Sequence, residues 1–230
     1  MILHKLHKKI LGNNREIQTE QLKSLFKKYH DYTMVPEKTF VLNLNLVHQY
    51  LKNVEGDVAE CGVWKGGMSA ALAEILGNNR TYFLLDSFEG LPEVKAIDGI
   101  AAKKWQQNTE GEMYYDNCRA SITDATKAMS LANCNYEIIQ GWFEKTLPVF
   151  APEKKIALLR LDCDWYDSTI ICLRNLYPKL VMYGMVLIDD YFAWDGCSRA
   201  VHDYLSEIKS TSRIRTFGDV CFIIKTDEGN

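Results

Sequence analysis

No CxxC pair occurs among the seven cysteines of this 230-residue chain, and that absence removes zinc ribbons and thioredoxin-like redox motifs together. The count is odd, so a closed disulfide framework is not expected either. Cys61, Cys118, Cys134, Cys163, Cys172, Cys197 and Cys221 read as small hydrophobes, and the expected compartment is reducing and cytoplasmic. No apolar run approaches the ~20 residues that a membrane span needs, so no membrane insertion is expected. The opening MILHKLHKKILGNN mixes bases with Leu3, Leu6 and Ile10 at helical spacing, which suits a short amphipathic helix rather than a signal segment. Positive excess is missing too: 27 Lys and Arg stand against 30 Asp and Glu, a net charge of −3, and nucleic acid is not expected as a partner. There is no internal repeat or low-complexity tract, and the five prolines are scattered. What remains is 47% hydrophobic and 25% charged, at a length one α/β domain can hold.

Residues 1–55 read as a helical extension or lid, with Phe40, Leu44, Val47 and Leu51 on one apolar face, and the N-terminal helices together offer apolar surface for a homodimer. From residue 56 to 230 strands and helices alternate as one structural unit. Strands are expected at Asp57–Cys61, Thr81–Leu85, Tyr136–Ile139, Ile156–Leu161 and Met185–Ile188. Helices are expected at Met68–Leu76 (closed by Gly77), near Ser121–Leu131, at Asp167–Leu176 (ending before Pro178) and at Ser198–Ile208. A hairpin around Gly218 and Asp219 ends the chain. The alternation predicts a doubly wound, mostly parallel α/β sheet of Rossmann-like type, with the hairpin adding one antiparallel strand. Pro92–Ala120 is polar and aromatic without a clean period, as a lid or substrate loop would be.

Two carboxylate pairs follow buried-type runs: Asp162 and Asp164 in LRLDCDWYDST, and Asp189 and Asp190 in MVLIDDY. In a parallel sheet these sit at neighbouring strand tips, where bare carboxylates repel one another unless a cation or donors compensate them. Oxygen-only ligation favours Mg²⁺, Mn²⁺ or Ca²⁺ over zinc. The loop Glu60-Cys61-Gly62-Val63-Trp64-Lys65-Gly66-Gly67 resembles a dinucleotide turn without the G-x-G-x-x-G spacing; a plain strand-to-helix turn would read the same way. Asp86 follows about twenty-five residues later, either as a ribose ligand or as a helix cap. Gln140-Gly141-Trp142-Phe143 closes the third strand with an amide and aromatics suited to a purine or to core packing. Asp167 and Asp195 fit helix caps or turns, and His48 and His202 fit packed or surface positions on helices.

Taken in order, ECGVWKGG, DSFEGLP, GWFEKTLP, LRLDCDWYDST and IDDY resemble the macrocin O-methyltransferase (TylF-like) family, over about Thr33 to Tyr204. The resemblance implies a class I methyltransferase fold and S-adenosylmethionine-dependent methylation of a sugar hydroxyl with a divalent metal, Mg²⁺ or Mn²⁺. By position it implies that Glu60, Gly62 and the turn through Val63, Trp64, Lys65, Gly66 and Ser69 hold the methionine end of the cofactor. It further implies Asp86 with Ser87 at the ribose, Phe88, Gln140, Gly141, Trp142 and Phe143 around the adenine, and Thr33 and Met34 closing over the cofactor. Asp162, Asp189 and Asp190 match the metal ligands, with Asp162 also beside the cofactor, and Asp164 matches the general base. The acceptor is expected to be a small sugar-bearing molecule. Residues 92–120 follow the family poorly, and a catechol-like or other vicinal-diol methyltransferase, a metal-dependent phosphoesterase and a non-catalytic nucleoside-binding module remain open.

Overall fold

The computed structural model describes residues 19–153 and 155–227; the amphipathic segment carrying Leu3, Leu6 and Ile10 lies outside them. Helices α1 (Thr19–Tyr29) and α2 (Glu37–Leu51) precede strand β1 (Asp57–Cys61), helix α3 (Gly67–Leu76) and strand β2 (Thr81–Asp86). Helices α4 (Gly99–Gln107) and α5 (Ile122–Ala132) lead to β3 (Asn135–Gln140) and β4 (Ile156–Leu161). Then come α6 (Tyr166–Leu176), β5 (Leu180–Ile188), α7 (Asp195–Glu207) and the hairpin β6 (Ile214–Phe217) and β7 (Val220–Ile224).

The strands form one sheet in the order β3-β2-β1-β4-β5-β7-β6. β1 to β5 pair in parallel, and β7 is antiparallel to both β5 and β6, so β7 is the single reversed strand that the hairpin was expected to supply. Strand order reverses between β1 and β4, where ligands gather in open α/β sheets.

Alternating residues of each central strand face opposite layers. Val58, Leu84, Leu158 and Leu187 join a core with α1, α2, α3 and α5, while Ala59, Leu85, Leu159 and Ile188 join another with α6 and α7. Phe40, Leu44, Val47 and Leu51 are fully buried in the first layer. That apolar face of α2 is therefore occupied within the chain. Five of the cysteines, Cys61, Cys163, Cys172, Cys197 and Cys221, are buried and free, as expected for small hydrophobes.

Element ends differ modestly from expectation. β5 begins at Leu180, earlier than Met185; its first half is apolar in sequence but Met182 and Tyr183 are exposed, and Gly184 interrupts the run. α7 starts at Asp195, and Pro92–Ala120 holds α4 inside what reads as aperiodic sequence. Asp167 and Asp195 lie in first turns of α6 and α7 and make no side-chain cap bonds there. Among the described residues no helix is long and apolar enough to cross a membrane.

Candidate active site

The carboxyl ends of β1, β2, β4 and β5 open into one cavity of ≈1000 Å³. Its floor is the turn after β1. Gly62 (φ 81°) passes so close to β4 that an added Cβ would stand 1.6 Å from the Asp162 carbonyl oxygen, so only glycine lets the two strand tips meet. At Gly67 a Cβ would meet the Tyr32 carbonyl oxygen at 2.6 Å, which seats Tyr32 and Thr33 directly over the turn. Asp86, at the tip of β2, accepts from the Val63 and Trp64 amides at 2.7 and 3.0 Å through Oδ2, and from Phe88 N at 2.7 Å through Oδ1. It braces the turn from within, and burial raises its pKa despite those donors. Trp64 lines the cavity, and its Nε1 is buried without a hydrogen-bond partner among the described residues.

On the β4 and β5 side, Asp162, Asp164 and Asp190 each bring a carboxylate oxygen within 4.8 Å of the others. Asp164 has left the strand; its left-handed backbone (φ 59°) and the hydrogen bond its N–H donates to Asp190 Oδ2 at 3.0 Å turn it back toward Asp162. Strand periodicity alone does not produce that convergence. Asp189 takes a different partner. Its Oδ1 accepts from Arg160 at 2.6 Å, while the same guanidinium binds Asp162 Oδ2 at 2.7 Å and pairs with Glu60. Glu60 in turn accepts from Ser69 Oγ.

Among the described residues Arg160, 1% exposed, is thus the one guanidinium bound among five carboxylates, those of Glu60, Asp162, Asp164, Asp189 and Asp190. It stays protonated because Asp162, Asp189 and Glu60 outweigh its desolvation. The carboxyls are pushed the other way. Burial raises the pKa of Glu60, and raises those of Asp162 and Asp190 well above the carboxylate range, with mutual repulsion adding to both. Asp164 is pushed up to about 7 by burial and by the Asp189 and Asp86 charges. One guanidinium leaves negative charge uncompensated. An all-oxygen, electron-rich trio of this kind fits a hard divalent cation such as Mg²⁺ or Mn²⁺.

The segment 92–120 folds as a cap over this cluster. Asp98, 2% exposed, accepts from Tyr166 N at the start of α6 and from Lys95 N, at 2.7 and 2.8 Å. Gln106 ties Val94 N, the Pro92 carbonyl and Asn117 together. Tyr115 to Cys118 run through four consecutive left-handed residues, which brings Tyr115 to 6.3 Å from the Trp64 ring. Trp105 of α4 packs edge-on against Trp165 and Trp194, both at 6.0 Å, and these two meet at 5.4 Å. Trp194 Nε1 donates to Asp164 Oδ1 at 2.9 Å.

Of the residues expected at the site, Thr33, Met34, Glu60, Gly62, Val63, Trp64, Asp86, Ser87, Gly141, Trp142, Phe143, Asp162, Asp164, Asp189 and Asp190 line the cavity. Lys65, Gly66, Ser69, Phe88 and Gln140 stand outside the lining. Lys65 lies over the Trp64 ring at 4.4 Å, Gly66 is the N-cap just before α3, and Ser69 sits behind Glu60. Phe88 is buried in the core, and Gln140 is exposed at the end of β3. Reading by sequence missed Arg160, Asp98, Trp105 and Trp194. Only Arg160 carried a signal, a cation inside the otherwise apolar run IALLRL directly before the first aspartate.

The sequence profile of the Macrocin-O-methyltransferase (TylF) family matches residues 7–225, a span that includes the cap. The chain is 37% identical over 158 residues to the 8-demethyl-8-(2,3-dimethoxy-alpha-L-rhamnosyl)-tetracenomycin-C 4'-O-methyltransferase of Streptomyces olivaceus, covering 66% of this chain and 58% of that one. It is 33% identical over 168 residues to the demethyldecarbamoylnovobiocin O-methyltransferase of Streptomyces niveus, covering 71% of this chain and 63% of that one. The chain thus spans less than two thirds of the length of these two relatives. Among solved structures, the O-methyltransferase NovP aligns over 98% of this chain and 99% of its own with a TM-score of 0.71 and 25% identity.

Proposed function

The chain belongs to the macrocin O-methyltransferase (TylF) family, and from that premise we propose that it transfers the methyl group of S-adenosylmethionine to a sugar hydroxyl of a glycosylated natural product or glycan precursor, aided by Mg²⁺ or Mn²⁺. The observation carrying this reading is the shared cavity, in which the glycine turn and the Asp162, Asp164 and Asp190 trio face one space. Relatives that carry sugar O-methyltransferase names support the acceptor class.

When bound, the sulfonium cofactor supplies an electrophilic methyl group and the cation lowers the pKa of a hydroxyl it touches. The chain's own residues do the rest. The turn through Glu60, Gly62, Val63 and Trp64 receives the methionine end, while Lys65, Gly66 and Ser69 shape that turn from outside the cavity lining. Asp86 and Ser87 lie toward the ribose. Gly141, Trp142 and Phe143 serve the adenine side, and Thr33 and Met34 close over the cofactor. Asp162 and Asp190 hold the cation, with Asp189 beside them on Arg160. Asp164 accepts the acceptor proton, its Oδ1 fixed by Trp194.

Calorimetric titration with S-adenosylmethionine, with and without Mg²⁺, tests the cofactor, and transfer to rhamnosylated aromatic acceptors tests the activity. Asp162→Asn should keep cofactor affinity and lose turnover. A phosphoesterase would bind no cofactor, and turnover that persists in excess chelator would remove the metal from the account.

A further inference from the structure

We infer that Trp194 is a positioning residue for Asp164, and that Trp105 of the cap holds Trp194 in place, so that the fold of the cap sets the orientation of the base. This rests on Asp164 being the proton acceptor proposed above. The geometry is a chain of contacts running inward from the cap. Trp105 lies in α4, its own Nε1 anchored to the Met113 carbonyl at 3.0 Å, and its ring meets Trp194 edge-on at 6.0 Å. Trp194 immediately precedes α7 and spends its single polar atom on Asp164 Oδ1. Trp165, 2% exposed, backs both rings and spends its own Nε1 on the Pro92 carbonyl at the foot of the cap. All three indoles are therefore tied by nitrogen to a cap carbonyl or to the base.

The bond to Asp164 matters because of where that residue stands. Its backbone is in the left-handed region, which non-glycine residues occupy sparsely, aspartate more readily than most. Its carboxylate, moreover, has two neighbouring carboxyls within 4.8 Å that repel it. Among the described residues the indole is the only side-chain donor to it, so it selects which oxygen faces the cavity. An indole N–H can donate and cannot accept, which leaves Oδ2 for the acceptor hydroxyl. Trp105 contributes no bond to the base. Its ring fills the side of Trp194 that faces the cap, and without it Trp194 gains rotamer freedom and the bond loosens.

Two readouts separate this from a merely structural role. Hydrogen exchange at the Trp194 indole, followed by ¹H–¹⁵N spectroscopy and assigned through Trp194→Phe, should quicken at least about tenfold in Asp164→Ala. It should quicken also in Trp105→Ala and recover in Trp105→Phe, which restores an aromatic edge. In turnover, Trp194→Phe keeps the ring packing and should lower kcat about 10- to 100-fold, the range for a bond to a charged group. The acceptor KM and S-adenosylmethionine affinity should stay within about twofold. Trp105→Ala should add little in the Trp194→Phe background, since both act through one link.

Unchanged exchange in Trp105→Ala overturns the role of the cap. A wild-type kcat in Trp194→Phe, or effects of the two substitutions that multiply independently, overturns the positioning of the base. Exchange needs no turnover, so failure of the wild-type protein to methylate any acceptor sinks the proposed reaction while the exchange pattern still decides this linkage.

Discussion

Replacing Arg160 with methionine removes one guanidinium and strands three carboxylates. Nη1 serves Asp162 and Glu60, and Nη2 serves Asp189. The three are not equally buried, with Glu60 at 2% exposure against 31% for Asp162 and 21% for Asp189. Water can partly recompense the latter two, so the penalty falls mainly on Glu60, whose remaining side-chain partner is Ser69 Oγ. Breaking a buried pair by deleting one side costs about 3–5 kcal/mol. For a chain of this size each kcal/mol moves Tm by about 2–4 °C, so Arg160→Met should melt about 6–20 °C below the parent by differential scanning calorimetry. Arg160→Lys retains the charge, but one nitrogen cannot span three carboxylates and its Tm should fall between the two. Adding Glu60→Gln to Arg160→Met should recover part of the loss, because the stranded buried charge is then gone. A Tm for Arg160→Met within about 2 °C of the parent would refute the idea that this guanidinium holds the strand tips together.

Other perturbations probe the remaining joints. Gly62→Ala forces an L-residue to φ 81° and drives Cβ into the Asp162 carbonyl; left-handed backbone plus overpacking should cost about 2–5 kcal/mol by urea unfolding, and a loss under about 1 kcal/mol would mean the strand tips separate easily. Asp98→Ala deletes the bonds to Tyr166 N and Lys95 N and should cost about 1–2 kcal/mol while hastening tryptic cleavage at Lys103 and Lys104 in the cap; unchanged cleavage would mean the cap is held elsewhere. At the far end of the sheet, Asp227 accepts from Ser210 Oγ, Thr211 N and Ser212 N, donors that outweigh its partial burial and lower its pKa below 3.8. Its contribution is therefore present above the ordinary carboxylate pKa and lost as pH falls through the lowered folded value. Asp227→Asn should be about 1–2 kcal/mol less stable at neutral pH, and the gap should close in acid; a gap independent of pH would rule out the ionised form as its source.

Much of the site was legible from residues alone, and what was not has a common cause. Gly62 and Asp86 stood out because strand-to-turn junctions impose local chemistry that a reader of the chain can see. Asp162, Asp189 and Asp190 stood out because carboxylates after apolar runs are conspicuous. Phe88 and Gln140 point the other way, since matching a motif does not say whether a side chain faces the cavity, and these two lie outside its lining. Asp98 and Trp105 were invisible for a related reason. Residues 92–120 take their structure from contacts with Tyr166, Trp165 and Trp194, which lie roughly fifty to a hundred residues away in sequence, and no local period records such contacts.

The strand and helix order, the layer each apolar residue joins and the family are determined by the amino-acid sequence itself, because periods of two and 3.6 residues and the turn glycines act over short stretches of chain. Which carboxylates meet is decided only in three dimensions. Arg160 draws Asp189 toward Glu60, while a left-handed turn carries Asp164 toward Asp162 and Asp190. Charges respond to distance through space, and the distance between β4 and β5 exists only once the sheet has formed.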